Sequence, residues 1–204
     1  MSYIIEIHPD NPHKRSISKV VSVLNTGGII AYPTDSGFAL GCTLGNKNAM
    51  EKIIKIRHLK KHHHFTLMMK DLSDVGEYAK LNNVGFRLMK KILPGPYTFI
   101  LEGAKFIPNR LLSTKKKTIG IRVSGNKVVQ SLLEDLDEPI MSVSLIIEGY
   151  DFYNCNDVKA VLNGEVDVII DSGHCPPEPT TVLDISENDI VILRKGAGSL
   201  NFVN

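Results

Sequence analysis

The sequence predicts a protein of the α/β or α+β class with a large mixed sheet. Short runs rich in β-branched and aromatic residues alternate with runs of helical spacing, this alternation continues along the whole chain, and no Pro- or Ser-rich linker divides it. The patterns give roughly eight strands and about five helices. A length of 204 residues corresponds to about one domain, which can bury a core without disulfides or metals.

The first elements are a strand, a helix and a second strand. Residues 3–7 alternate and form the first strand, which a turn at residues 8–12 ends. Four apolar residues then recur at i, i+3, i+4 and i+7, as on one helix face: Ile17, Val20, Val21 and Leu24. Gly27 and Gly28 end this helix, and the buried strand at residues 29–32 ends at Pro33.

The later elements follow the same two patterns. Asn48 and Glu51 predict a capping box for the second helix, Ser73 and Asp74 predict the start of another, and Pro94 stops a third. The remaining helix stripes lie within residues 50–57, 84–93, 128–136 and 157–162. The remaining strands lie at residues 65–69, 97–101, 118–123, 141–147, 166–171, 181–185 and 190–194.

The composition is that of a soluble globular protein, with 43% hydrophobic and 23% charged residues. It excludes a disordered chain, a fibre and a coiled coil. No apolar run approaches the roughly 20 residues of a transmembrane helix, and residues 1–6 lack the pattern of a signal peptide, so we expect a cytoplasmic protein without a membrane partner. The formal net charge of +2 does not by itself require a nucleic-acid partner.

The common chemical motifs are absent. The sequence has no Walker A loop, no dinucleotide fingerprint, no nucleophile elbow and no H-E-x-x-H. The sequence has three cysteines, Cys42, Cys155 and Cys175. Their odd number and the absence of a C-x-x-C pair argue against a disulfide framework and a zinc ribbon. Cys155, His174 and Cys175 are too scattered to predict zinc, so we expect no metal site.

Residues 33–41 are the first candidate site. They place hydroxyls and a carboxylate directly after a buried strand, where ligands bind in α/β sheets. The alternative is a turn in which Asp35 and Ser36 satisfy their own backbone, and the local pattern alone favours the turn.

Ser142 and Ser144 are the second candidate site. They lie in an apolar strand, where alternation puts both hydroxyls on one face. Such hydroxyls need partners, either phosphate or ribose oxygens or the neighbouring backbone, and the local pattern favours the backbone.

Two basic stretches are candidates for contact with phosphate. Lys60 and Lys61 precede three histidines, His62, His63 and His64, for which a solvated loop is a better interpretation than a metal site. Lys115, Lys116 and Lys117 form a second stretch, which is either a solvated turn or a contact to a phosphate backbone. The interleaved aromatic residues of a single-strand binding platform are missing there.

Several segments, in chain order, resemble the YrdC-like family and its YciO subgroup. The resemblance runs from residues 8–12 to residues 194–196 and so covers nearly the whole chain. The matching segments are P-T-D-S at 33–36, P-G-P-Y-T at 94–98, T-I-G-I-R-V at 118–123 and P-T-T-V-L-D at 179–184.

The resemblance implies a single YrdC-like α/β domain over residues 1–204. It implies a twisted, mostly parallel mixed sheet with flanking helices and a concave, positively charged groove. Family members make threonylcarbamoyl-adenylate from ATP, L-threonine and bicarbonate and release pyrophosphate. The product serves the modification of adenosine 37 in tRNA, and members are also described as binding double-stranded RNA. ATP is then a substrate, accompanied by Mg²⁺, and no permanent cofactor is expected.

The resemblance also assigns site residues. Those implied for nucleotide binding are Arg57, Thr118, Arg122, Ser142, Ser144, Thr180 and Arg194. Thr34 and Ser36 are implied to orient L-threonine. Candidate contacts to RNA or tRNA are Lys60, Lys61, Lys115, Lys116 and Lys117.

The chain departs from the family pattern at three places, one of which is Phe38, where many members have Tyr. Where the family has K-x-R, this sequence has Arg57, His58 and Leu59; where the family has S-x-N, Ser144 replaces the Asn. Arg for Lys keeps the charge and changes its geometry, whereas Leu59 removes a cation. Three functions stay open: an ATP-dependent synthase, full or weakened; a module that binds RNA or nucleotide without turnover; and a ribosome- or tRNA-associated accessory protein whose basic groove only binds phosphate.

Overall fold

The computed structural model describes residues 1–59, 65–109, 111–113, 116–187 and 189–202. The strands are β1 (Tyr3–Glu6), β2 (Ile30–Thr34), β3 (Gly37–Thr43), β4 (Thr66–Met68), β5 (Ala79–Lys80), β6 (Tyr97–Gly103), β7 (Thr118–Arg122), β8 (Ile140–Ser144), β9 (Val168–Asp171), β10 (Thr181–Asp184) and β11 (Val191–Arg194). The helices are α1 (Lys14–Asn25), α2 (Lys47–Ile56), α3 (Val75–Tyr78), α4 (Asn83–Ile92), α5 (Lys127–Leu136) and α6 (Cys155–Leu162).

The strands form one sheet in the order β1-β9-β2-β3-β8-β4-β7-β6-β10-β11, with β5 beside β6. The sheet is mixed, as predicted. The expected majority of parallel pairs is wrong: β1–β9, β2–β9, β4–β7 and β6–β10 are parallel, and the other six pairings between these strands are antiparallel. The β2–β3 and β10–β11 pairs are joined by short connections, which permit only antiparallel neighbours.

Two hydrophobic cores lie on opposite faces of the sheet. Neighbours in one strand fall in different cores, because successive strand side chains point to opposite faces: Ile30 and Tyr32 pack with α1 and α5, whereas Ala31 packs with the core of α2, α4 and α6. The two helices α1 and α5 contact each other and cover β2 and its neighbours. The same face over β8, β7, β6 and β10 carries polar side chains and holds the candidate site described below.

The apolar helix stripes were predicted well. All four residues of the first stripe are buried in α1, and the α5 stripe buries Val128, Val129, Leu132, Leu133 and Leu136.

The predicted capping box at Asn48 and Glu51 is wrong: α2 is capped by Asn46, whose Oδ1 accepts a hydrogen bond from the backbone N–H of Ala49 at 3.1 Å. Within the part of the chain that the structure describes, no helix is long and apolar enough to span a bilayer.

Strands β3 and β5 were not predicted. All residues of β3 from 37 to 42 are buried, so the strand lacks the alternation of polar and apolar residues that reveals a half-exposed strand. Pro33 does not end β2, which continues to Thr34 and turns into β3 through Asp35 and Ser36. The first candidate site is therefore a tight hairpin between two central strands.

Candidate functional site

A cavity of about 480 Å³ lies on the sheet face that α1 and α5 leave open. Its hydroxyl-bearing side chains come from β4, β6, β7 and β8 and from the segments next to β7 and β10: Thr66, Thr98, Ser113, Thr118, Ser142, Ser144 and Thr180. Strand register explains the grouping, since Thr66 pairs with Ser142 on β8 and with Gly120 on β7. A Cβ at Gly120 would lie 2.7 Å from Thr66 Oγ1, so the glycine lets these strands pack closely beneath the cavity.

The cavity brings together all seven residues that the resemblance assigns to nucleotide binding. They come from the end of α2, from β7, from β8 and from the two ends of the β10–β11 unit. Their convergence is a geometric finding, and their role in binding stays a prediction.

Two arginines are held at the cavity by backbone carbonyls. Arg57 Nε donates to Ser144 O at 2.7 Å. Arg194 Nε donates to Thr180 O at 2.9 Å, and Arg194 Nη2 donates to Thr180 Oγ1 at 3.0 Å. Within the described ranges neither guanidinium forms an ion pair, so neither positive charge is neutralised by a neighbouring carboxylate.

Burial disfavours the charged forms of Arg57 and Arg194 when no anion is bound. Burial lowers the pKa of the Arg57 guanidinium. Burial also lowers the pKa of Arg194, and the charge of Arg122 lowers it further. An anion in the cavity would relieve both effects, because opposite charge favours the charged form of a guanidinium.

Thr34 and Ser36 are not among the residues that line the cavity, but both contact Arg122, which does line it. Arg122 Nη2 donates to Ser36 Oγ at 2.8 Å and lies 3.5 Å from Thr34 Oγ1. The turn also bonds to itself, since Thr34 Oγ1 donates to Gly37 O at 2.7 Å. The two interpretations of this segment are thus compatible: the segment is a self-bonded turn, and it holds an arginine that lines the cavity.

Asp35 is a residue of this site that the sequence analysis did not assign. Its Oδ1 lies 2.6 Å from Arg122 Nη2, and its Oδ2 accepts a hydrogen bond from Gly125 N at 3.1 Å. The available signal was the acidic position inside the P-T-D-S segment. Asp35 joins the β2–β3 turn to β7 and to the loop that follows β7.

Arg122 keeps one polar atom unpaired. The Nε of this 4% exposed residue is buried and has no hydrogen-bond partner among the described residues. An orphaned buried donor costs about 1–3 kcal/mol, more for a charged group. A ligand oxygen reaching Arg122 would remove that cost.

Ser142 bonds to a side chain, contrary to the interpretation that favoured the backbone. Its Oγ lies 2.7 Å from the hydroxyl of Tyr32, which belongs to β2. The apolar lining comes from both sides of the cavity: Val143 and Ile146 lie on and after β8, Ile100 lies on β6, and Val182 and Leu193 lie on β10 and β11. The site thus combines cations, hydroxyls and an apolar wall, the combination that suits a ligand with an anionic part and a flat apolar part.

Leu59 does not line the cavity and packs as a partly buried residue against the core that contains α2. Lys116 lines the cavity and pairs with Glu187 at 2.8 Å, and Lys117 is exposed. The other three lysines assigned to RNA contact, Lys60, Lys61 and Lys115, lie outside the described residues, as do the three consecutive histidines.

The cysteines are free thiols in the structure. Cys155 Sγ donates to Asp171 Oδ2 at 3.0 Å, and Cys175 Sγ donates to Thr34 O at 3.5 Å. Among the residues described, no group of three or more His, Cys, Asp or Glu side chains could hold a metal ion.

Comparison with known proteins identifies close relatives. Residues 22–196 match the Sua5/YciO/YrdC family model, which is described as telomere recombination. YciO of Escherichia coli strain K12 is 48% identical over 202 residues, which is 98% of each chain. The crystal structure of E. coli YciO matches this structure with a TM-score of 0.94 over 98% of each chain.

More distant relatives include named synthases. Threonylcarbamoyl-AMP synthase of Vibrio vulnificus strain YJ016 is 27% identical over 161 residues, which is 76% of this chain and 85% of that protein. Sua5 of P. abyssi in complex with L-threonine is 23% identical, with a TM-score of 0.88, and the match covers 96% of this chain and 58% of that one. The Sua5 likeness concerns the fold.

Proposed function

Because the chain belongs to the Sua5/YciO/YrdC family, we propose that it is an ATP-dependent enzyme that makes threonylcarbamoyl-AMP, or a slower relative acting on the same kind of adenylate. The observation that carries the proposal is the convergence of the seven predicted residues in one cavity. The substrates would be ATP, L-threonine and bicarbonate, and the product would serve tRNA modification. The named synthase among the relatives supports this choice of reaction.

The phosphates of ATP would bind between Arg57 and Arg194. Both guanidiniums are fixed through Nε to a carbonyl, which leaves other N–H groups for phosphate oxygens. Thr180 contacts Arg194, and its hydroxyl oxygen lies 2.8 Å from that of Thr98. In the proposed reaction negative charge accumulates on the phosphates, so donors fixed in advance stabilise the transition state.

The base of ATP would lie against the apolar wall. Val182 and Leu193 offer aliphatic surface at the β10–β11 side of the cavity. A flat aromatic base gains from such contact, because ligand sites are mostly apolar with few orienting polar groups. Mg²⁺ would enter with ATP; Asp184 is a carboxylate on the cavity wall that could join its ligands, although its Oδ1 already accepts from Ser186.

L-Threonine would bind near the β2–β3 turn. Arg122 joins this turn to the cavity, and its buried, unpaired Nε is suited to a carboxylate or carbamate oxygen. The threonine amine adds to the carbon of carbon dioxide, which bicarbonate supplies with loss of water, and releases a proton to give a carbamate. A carbamate oxygen then attacks the α-phosphate, and pyrophosphate leaves as the P–O bond to it breaks. The protein forms no covalent bond in this scheme, so positioning dominates its contribution.

Two positions favour a lower rate or a second candidate function. Leu59 packs on the core, so the second cation of the family's K-x-R pattern has no counterpart at this position. Ser144 offers one hydroxyl where an Asn would offer an amide. If the missing cation at Leu59 and the missing amide at Ser144 abolish turnover, the cavity would still bind phosphate. The protein would then act as a binding module for double-stranded RNA or tRNA.

Pyrophosphate release from ATP tests the proposal. We expect release that requires both L-threonine and bicarbonate and that is lost in Arg194→Gln. Arg87→Gln, which removes an exposed arginine of α4 outside the cavity, is the matched control and should keep the wild-type rate. ATP binding without threonine-dependent release would contradict the synthase and support the binding module.

A further inference from the structure

We propose that Tyr32 is a positioning residue that turns the Ser142 hydroxyl into a hydrogen-bond donor for an oxyanion, such as a phosphate oxygen, in the cavity. The inference rests on the proposed function, because the ligand that it concerns is the nucleotide. Tyr32 itself would not touch the ligand. It would act through Ser142, which lines the cavity.

The two hydroxyls belong to residues on strands that are not neighbours in the sheet. Tyr32 is on β2 and Ser142 on β8, and β3 lies between them in the sheet. Gly41 of β3 is the register partner of Ser142. A Cβ at Gly41 would lie 2.8 Å from Tyr32 Cε1, so the missing side chain leaves the space that the tyrosine ring occupies. The ring thereby brings its hydroxyl to 2.7 Å from Ser142 Oγ.

The chemistry of the pair favours the tyrosine as donor. A phenol is a stronger acid than an aliphatic alcohol and hence the better donor, whereas the serine oxygen is the better acceptor. Tyr32 is 0% exposed, and burial raises its pKa to about 12, so it keeps its proton at neutral pH. With the phenol proton directed at Ser142 Oγ, the serine proton is free to point elsewhere.

The Ser142 hydroxyl would donate its hydrogen bond to a ligand in the cavity. Burial raises the pKa of Tyr32, the hydrogen bond with Ser142 and the charge of Arg122 lower it, and the charge of Asp35 raises it. Ser142 and Arg122 both line the cavity, so one anion bound there can contact both. An anion bound beside Arg122 would accept a hydrogen bond from the Ser142 hydroxyl, and the phenol behind Ser142 would keep that hydroxyl from turning away.

A double-mutant cycle in ATP affinity tests the inference. We expect Tyr32→Phe to weaken ATP binding by about three- to tenfold and Ser142→Ala to weaken it at least as much. The double variant should bind ATP no more weakly than Ser142→Ala alone, because Tyr32 acts only through Ser142. Tyr97→Phe is the matched control: the Tyr97 hydroxyl donates to Ser199 O at 2.9 Å, outside the cavity, and its loss should leave ATP affinity unchanged.

Two results would overturn the inference while leaving the proposed function intact: ATP affinity in Tyr32→Phe equal to that of the wild type, or losses in the two single variants that multiply in the double variant. A wild-type protein that binds no ATP would overturn both proposals. If Tyr32→Phe does not fold, NMR of the wild-type protein replaces the affinity measurement. The ¹³Cζ resonance of Tyr32 is assigned by comparing the wild type with Ser142→Ala, in which that resonance shifts. It should move when ATP is added to the wild type, and an unmoved resonance with ATP bound would overturn the inference.

Discussion

Arg122 Nη2 lies 2.6 Å from Asp35 Oδ1, and the two side chains are 4% and 16% exposed. The pair links the turn between β2 and β3 to the strand that forms the centre of the cavity floor. It also joins two segments that the sequence presented separately, the P-T-D-S turn and the arginine strand. A buried ion pair of this kind fixes geometry, and loss of one partner leaves an uncompensated charge.

We predict that Asp35→Asn destabilises the protein by about 2–4 kcal/mol, because Arg122 then remains buried without a counter-charge. Urea unfolding measures the change. Pyrophosphate should restore part of the lost stability, since an anion beside Arg122 replaces the missing carboxylate. Asp10→Asn serves as the control: Asp10 pairs with Lys127 on the surface, where an ion pair contributes little. Equal stability of Asp35→Asn and the wild type would contradict the prediction.

Arg57→Ala should weaken ATP binding by about fivefold or more, because a charge-assisted hydrogen bond to phosphate is lost. Calorimetric titration measures the affinity. Lys55→Ala removes an exposed cation from the same helix, outside the cavity, and should leave the affinity unchanged. If Arg57→Ala binds ATP as the wild type does, Arg57 is not part of the nucleotide site.

Leu59→Arg combined with Ser144→Asn should raise the rate of pyrophosphate release in the presence of threonine. The arginine stem can cover the apolar surface that Leu59 now covers while its head supplies the missing cation. Both changes are tested together, because neighbouring residues rarely act additively. Leu59→Gln with Ser144→Asn is the control without the added charge. A double variant that binds ATP and shows no gain would contradict the prediction, because the deficit would then lie at other positions.

Binding of duplex RNA, where it occurs, should be electrostatic and insensitive to sequence. We expect the affinity to fall steeply as salt rises, and we expect Lys116→Gln with Lys117→Gln to lower the logarithmic salt slope by about 2. Lys14→Gln with Lys19→Gln removes two exposed cations from α1 and should change the slope less. A flat salt dependence or a strong preference for one sequence would contradict this expectation.

The sequence predicted those parts of the fold that have a periodic signal. The stripe from Ile17 to Leu24 shows which face of α1 is buried, because a helix with one wet face must repeat its apolar residues every three or four positions. Strand β3 has no such signal, since both of its faces are buried. Asn46 and Asn48 are both plausible helix caps in the sequence, and only the backbone conformation, extended at Asn46, distinguishes them.

The sequence predicted which residues line the site, but it did not predict how their side chains contact one another. Local pattern favoured a plain turn for residues 33–41 and backbone partners for Ser142, and only the order of several segments pointed to a shared pocket. The contact of Tyr32 with Ser142 depends on a glycine in the strand between them, so it requires the sheet order, which no local pattern encodes. Asp35 was missed for a similar reason, because its partner Arg122 is distant in sequence.

A crystal structure of the protein with ATP and L-threonine tests the central claim most directly, because that claim concerns where the nucleotide binds. We predict phosphate oxygens within hydrogen-bond distance of the Arg57 and Arg194 guanidiniums, the base against Val182 and Leu193, and the amino acid beside Arg122. ATP bound on another surface, with the cavity free of nucleotide, would contradict the account.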